Sequence, residues 1–83
     1  MRVTILGSGS SGGTPQPGRG WGICDPTNPK NRRRRPSILV ENQGTTVLVD
    51  TSPDLREQLL DADVNRLDAV VYTHAHADHL HGI

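Results

Sequence analysis

The sequence predicts an α+β domain, and three of its features carry that prediction. Short β-branched apolar runs recur at "RVTIL", "SILVE", "TTVLVD" and "DAVVYTH". One capped helical segment lies between the third run and the fourth, and a glycine- and proline-rich stretch separates the first from the second. With 83 residues the chain makes at most one small domain, which buries only about 60 to 65% of its unfolded surface. It has no Phe, one Trp and one Tyr, so its core is thin and rests on Val, Ile and Leu.

The elements follow in order. "RVTIL" forms the first strand and ends at Gly7. A long irregular loop runs from Gly7 to about Pro36, and loops of that length in a compact domain tend to be functional. "SILVE" and "TTVLVD", separated by Asn42, Gln43 and Gly44, predict an antiparallel hairpin. Ser52 as N-cap, Pro53 at the first helical position, Asp54 in the first turn, and Leu55 with Leu59 on one face predict a helix ending near residues 61 to 63. "DAVVYTH" is the fourth strand.

The totals exclude several function classes. Zero net charge gives no strong whole-molecule field to draw polyanions. No run is long enough to span a membrane, and Met1-Arg2 leads straight into a strand pattern, so the expected location is cytoplasmic and no membrane partner is expected. Cys24 stands alone, which rules out an intrachain disulfide and a Cys-pair metal site.

"TILGSGSSGGTP" contains G-x-G-x-x-G at Gly7, Gly9 and Gly12, the pattern of a dinucleotide-binding turn. That reading needs a helix to begin there, and Pro15, Pro17, Gly18 and Gly20 prevent one. The acidic residue expected about 20 residues on is also missing, because Asp25 lies in a Pro-rich loop.

The chemistry concentrates at "THAHADHLHG", where all four histidines, His74, His76, His79 and His81, lie with Asp78. His74 and His76, two apart at the end of an extended strand, project to one side and converge on one point. Asp78 and His79 follow where the chain turns, offering an oxygen and a nitrogen to a neighbouring point, while Ala75 and Ala77 leave space. Imidazole and carboxylate are donors that zinc, manganese and iron accept, and a catalytic site needs three protein ligands and an open position. The plainer alternatives are a solvated His/Asp turn and a purification tag; a tag would more often be an uninterrupted run with no strand leading into it.

H-x-H-x-D-H after a strand resembles the metal signature of the metallo-β-lactamase superfamily, matched by His74, His76, Asp78 and His79. "TILGSGSSGGTP" is similar to that family's first strand and loop, and "VLVDTSPDLREQL" to its strand, Asp and helix. Within the superfamily, the opening loop, the Arg-rich stretch and "HADHLHGI" look most like the group containing the cyclic-phosphate phosphodiesterase of phosphonate breakdown, with ribonuclease Z a nearby relative.

The resemblance implies a four-layer αβ/βα sandwich, of which residues 1–83 are the N-terminal half, with two divalent metal ions in a cleft at the sheet ends. His74 and His76 would bind one ion, Asp78 and His79 the other, and Asp78 is the expected catalytic residue. Zinc is the expected metal, with manganese or iron as alternatives. A metal-activated water would attack a small, cyclic phosphodiester, and the Gly-rich loop would lie beside the cleft, its backbone close to substrate or ions. The family draws further ligands from its C-terminal half, so the remaining ligands are expected from such a half or from another chain, and the isolated chain is expected to be inactive. His81 is the one spare imidazole, and the lone Cys24 predicts no structural zinc.

Other residues admit two readings. Asp50, ending "VLVD", is a turn acceptor or a carboxylate that orients a ligand histidine, and the resemblance favours the second. "KNRRRRP" holds five of the nine basic residues; it is a solvated loop, or Arg34 and Arg35 grip a phosphodiester bidentately. Nucleic acid is the sharper alternative, weakened by the absence of aromatic residues beside the run. A non-catalytic metal-binding module is a third reading. Trp21 could cap the cleft or fill a gap.

Overall fold

The computed structural model describes residues 1–83 as one four-stranded sheet carrying two short helices. The strands are β1 (Arg2–Gly7), β2 (Ser37–Asn42), β3 (Thr45–Val49) and β4 (Ala69–Val71), in spatial order β1-β2-β3-β4. The first two pairings are antiparallel, and β4 joins β3 in parallel. A parallel neighbour cannot be reached by a tight turn, and α1 (Leu55–Asp61) supplies the crossover. α2 (Ala77–Leu80) follows β4. No helix is long and apolar enough to cross a membrane.

The hairpin forms as predicted. Gln43 and Gly44 both take positive φ, 49° and 81°, as the primed turn that matches strand twist requires. Register then fixes the faces: Leu6, Leu39 and Leu48 lie on one side and form the core, with Leu55, Leu59, Ala62, Val64 and Leu67 packed over them. The other side carries two aliphatic rows, Val3-Val40-Val47-Ala69 and Ile5-Ile38-Val49-Val71. Val3, Ile5 and Val71 remain 55, 70 and 51% exposed there.

Two boundaries differ from expectation, the start of the helix and the end of β4, while the helix ends where expected. The helix begins at Leu55 with Asp54 as N-cap, not at Ser52 and Pro53. The Ser52 hydroxyl accepts from the Asp54 amide at 3.1 Å and donates to Gln58 Oε1 at 2.7 Å, so residues 52–54 form a hydroxyl-bonded turn ahead of the helix. At the other end Asp63, with φ 55°, closes the helix: its amide donates to Leu60 O and that of Val64 to Leu59 O, the paired bonds of a Schellman cap. β4 stops at Val71 instead of running to His74, because Thr73 N donates to the Asp50 carboxylate at 2.8 Å and the chain leaves the ladder.

The loop of residues 8–36 is folded back on itself. Thr14 and Arg33 exchange two backbone hydrogen bonds, of 2.9 and 2.7 Å, and Pro29–Asn31 form a 3-10 turn. Gly7 and Gly9 press against the backbone of Arg33 to Arg35, where a Cβ on Gly7 would collide with the Arg35 carbonyl. The close approach that these two glycines permit is between two backbones of the same chain.

Candidate metal centre

The site grows from Asp50, the residue immediately after β3. Its φ of 65° turns the chain out of the sheet, a conformation Asp tolerates better than most residues. The residue is 4% exposed. Oδ1 accepts from Thr73 N at 2.8 Å, and Oδ2 accepts from Thr73 Oγ1 at 2.8 Å and from His79 Nδ1 at 2.6 Å. Burial is the largest single influence on this carboxyl and pushes its pKa up, but the hydrogen bonds from His79 and Thr73 together outweigh it and hold the group below its ordinary value.

An ionised carboxylate only accepts, so His79 donates from Nδ1, and the neutral ring then carries its lone pair on Nε2. Thr73 has one hydroxyl proton and gives it to Asp50, so its 2.9 Å contact with His74 Nδ1 is donated by His74. One carboxylate therefore sets the tautomer of two imidazoles, directly for His79 and through a hydroxyl for His74. In both rings it is Nδ1, not Nε2, that is engaged by Asp50 and Thr73.

The predicted ligands come together as a patch. The His74 ring centroid lies 4.4 Å from that of His76 and 4.0 Å from that of His79. Asp78 Oδ2 stands 3.2 Å from His79 Nε2. His74 and His76 occupy the loop after β4 rather than a strand end, and His76 is the N-cap of α2. No three His, Cys, Asp or Glu side chains converge on one point with metal-binding geometry. His81, the spare imidazole, is exposed at the C-cap of α2 and makes no side-chain hydrogen bond.

The donor chemistry nevertheless fits a divalent cation. Ligands about 2.0 to 2.2 Å from a metal at tetrahedral or octahedral angles lie roughly 2.8 to 3.5 Å apart, and the Asp78–His79 separation falls in that range. With His79 Nδ1 donating to Asp50, Nε2 and Oδ2 face each other as two acceptors. A proton or a cation between them resolves the repulsion.

α2 is held in place by its backbone. Thr51 N donates to His79 O at 2.7 Å, and Gly82 N donates to Thr51 O at 3.0 Å. Gly82 lies so close to the Ser52 carbonyl that a Cβ would collide with it.

The structure places Arg34 and Arg35 against carboxylates of the same chain. Arg34 Nη1 pairs with Asp61 at 2.7 Å, and its Nη2 donates to Leu6 O. Arg35 grips Asp54 through Nε and Nη2, both at 2.7 Å, and adds its own amide at 2.9 Å. Those hydrogen bonds hold the Arg35 pKa above its ordinary value, and the charge of Asp78 contributes as well. A groove of about 490 Å³ lies between the Gly-rich loop and α1; Arg32 to Arg35, Asp54, Glu57 and Asp61 line it, and no histidine does. Thr73, Gln58 and the pairing of Arg35 with Asp54 escaped sequence reasoning. Only the position of Thr73 next to the histidine motif hinted at any of them.

Comparison with known proteins agrees with this geometry. Residues 31–83 match the family model of the metallo-beta-lactamase superfamily. A solved structure of a new diphosphatase from the PhnP family superimposes with a TM-score of 0.89 at 49% identity, covering 96% of this chain and 32% of that one. An octanoyltransferase of Porphyromonas gingivalis is 42% identical over the whole chain, which covers 17% of that protein. A ribonuclease Z of Bradyrhizobium diazoefficiens is 42% identical over 57 residues, 66% of this chain and 19% of the relative. The chain thus spans about a third of the matched structure and less than a fifth of these curated relatives.

Proposed function

The chain belongs to the metallo-beta-lactamase superfamily, and from that premise we propose that it contributes His74, His76, Asp78 and His79 to a two-cation hydrolytic site acting on a small phosphodiester or diphosphate. The observation that carries this reading is the facing pair of acceptors, Asp78 Oδ2 and His79 Nε2, 3.2 Å apart with the imidazole proton committed to Asp50. Four ligands under-coordinate two cations, so the remaining ligands come from outside residues 1–83. Zinc suits this donor set, with manganese or iron as alternatives; when bound, such cations make water a nucleophile near neutral pH and offset charge on phosphoryl oxygens.

The chain's own residues do the positioning. Asp50 holds His79 directly and His74 through Thr73, so that both Nε2 lone pairs face outward. Asp78, whose side chain is 14% exposed, is the residue we assign to catalysis, because a carboxylate at this position can hold a proton released by the attacking water through the oxygen that does not face His79. The likeness to a diphosphatase favours cleavage at phosphorus in a small substrate.

The test is hydrolysis of bis(4-nitrophenyl) phosphate and of a nucleoside diphosphate by the full-length protein with added Zn²⁺ or Mn²⁺. Replacing His76 and Asp78 by Ala should lower turnover by more than about 10²-fold; unchanged turnover would sink the reading. A ribonuclease reading is supported by Arg32 and Arg33, which are exposed and form no ion pair with a carboxylate. If it holds, neutralising both should weaken RNA binding and flatten its salt dependence by about one unit of slope for each phosphate no longer neutralised.

A further inference from the structure

Asp54 is the N-cap of α1 and Gln58 lies on it, and neither belongs to the apolar cluster packed over the core. Gln58 is fully buried, as is Ser52, while Thr51 is 2% exposed. A buried amide is costly unless both its oxygen and its nitrogen are partnered, and here both are. Gln58 Oε1 accepts from Ser52 Oγ at 2.7 Å, and Nε2 donates to the Arg35 carbonyl at 2.8 Å. Ser52 Oγ accepts from the Asp54 amide at 3.1 Å, and the Asp54 carboxylate receives three N–H groups of Arg35. The bonds run Arg35 to Asp54 to Ser52 to Gln58 and back to Arg35. They close a ring, and every buried side-chain polar atom in the molecule has a partner.

That ring ends against the segment that carries α2. Thr51, next to Ser52, both donates to His79 O and accepts from Gly82 N, and the Ser52 carbonyl abuts Gly82. Asp50, one residue earlier, holds the His79 imidazole. His79 is thus fixed twice from one short stretch, at its carbonyl by Thr51 and at its ring by Asp50. Any shift of residues 50–52 moves Nε2 relative to Asp78.

We infer that Arg35 is a positioning residue for the metal ligands rather than a substrate contact: its clamp on Asp54 locks the ring that seats Thr51 and Ser52 beneath α2, and so sets the spacing of Asp78 and His79. The inference rests on the metal-site reading above. Its geometry is specific to arginine. The planar fork makes parallel bonds to both carboxylate oxygens, which a lysine ammonium cannot reproduce.

The experiment uses the full-length protein with Arg35→Lys and Asp54→Asn, the second breaking the clamp without touching Arg35. Co²⁺ is titrated into each while the visible d–d spectrum is followed, and amide exchange of Thr51 and Gly82 is measured without metal. Both variants should bind Co²⁺ about tenfold more weakly, as loss of outer supporting contacts does. Both should alter the spectrum and lose protection at Thr51 and Gly82. Leu67→Ala, a core truncation away from the ring, should lower Tm and leave the spectrum alone, which separates positioning from general loosening. Wild-type Co²⁺ affinity, spectrum and exchange in both clamp variants would overturn the inference and leave the metal site standing. A raised KM for the phosphodiester with those three readouts unchanged would make Arg35 a substrate contact instead. Wild-type protein that takes up no cation would remove the site and the inference together.

Discussion

The two faces of the sheet differ in composition and in what they do. One is covered by α1 and the segment after it, with Leu6, Leu39 and Leu48 at 5, 2 and 0% exposure beneath them. Near its edge lie Ser52, Gln58, Asp54 and Arg35, fully hydrogen-bonded. The other face is eight aliphatic side chains in two rows with no element over them. Polar groups are placed only where partners exist to satisfy them, and the uncovered face has none. Contiguous apolar surface of this kind marks an interaction surface. The covered face therefore holds the chain together and builds the site, while the open face leaves its aliphatic rows partly exposed.

Leu48→Ala strikes the covered face at its centre and should cost about 2 to 5 kcal/mol, read as a lower urea midpoint of the full-length protein; a loss below about 1 kcal/mol would mean that the three leucines are not the core. Asp50→Asn comes next. An amide has one acceptor oxygen where the carboxylate has two, so it cannot hold Thr73 and His79 as Asp50 does, and metal affinity should fall by about 10- to 100-fold, measurable by competition with a chromophoric chelator. Unaltered affinity would mean that Asp50 serves the turn alone.

A pH titration sharpens the contrast further. The Asp54 carboxyl lies below its ordinary value, first because of its hydrogen bonds with Arg35. A depressed carboxyl gives stability that is present above the unfolded value of 3.8 and lost as pH falls through the lower folded value. Amide protection at Thr51 and Gly82 should accordingly weaken below about pH 3.8 while the β2–β3 ladder persists. Simultaneous loss of both would join the two regions into one cooperative unit. The smallest effect is expected for Ile5→Thr on the open face. In the isolated chain it should shift stability by no more than about 0.5 kcal/mol and reduce self-association in sedimentation; a loss as large as that of Leu48→Ala would show that this face is covered.

Strand positions, the hairpin and the helix were legible in the sequence because each rests on local periodicity and turn chemistry. The histidine cluster was legible for the same reason, since its members are sequence neighbours. What escaped depends on distant partners. Arg34 and Arg35 meet carboxylates 27 and 19 residues away, and no local pattern pairs them, so neither reading of the run, solvated loop or phosphodiester grip, foresaw these two ion pairs. The role of Thr73 follows from the positive φ of Asp50 and the early end of β4, neither of which composition encodes. The helix start moved because Ser52 spends its hydroxyl on Gln58 as well as on the turn.

The turn at Gln43 and Gly44 has a kinetic consequence. It joins β2 to β3 with two residues, whereas β1 reaches β2 only after the chain of residues 8–36 has been gathered in. Loop closure costs more as the loop lengthens, so the hairpin is the natural nucleus and β1 a late arrival. Gly44→Ala, strained at φ 81°, should slow refolding in stopped-flow measurements, whereas Val3→Ala in β1 should chiefly speed unfolding. The ligands of α2, which meet Asp50 across 29 residues, would then assemble only after the sheet beneath them.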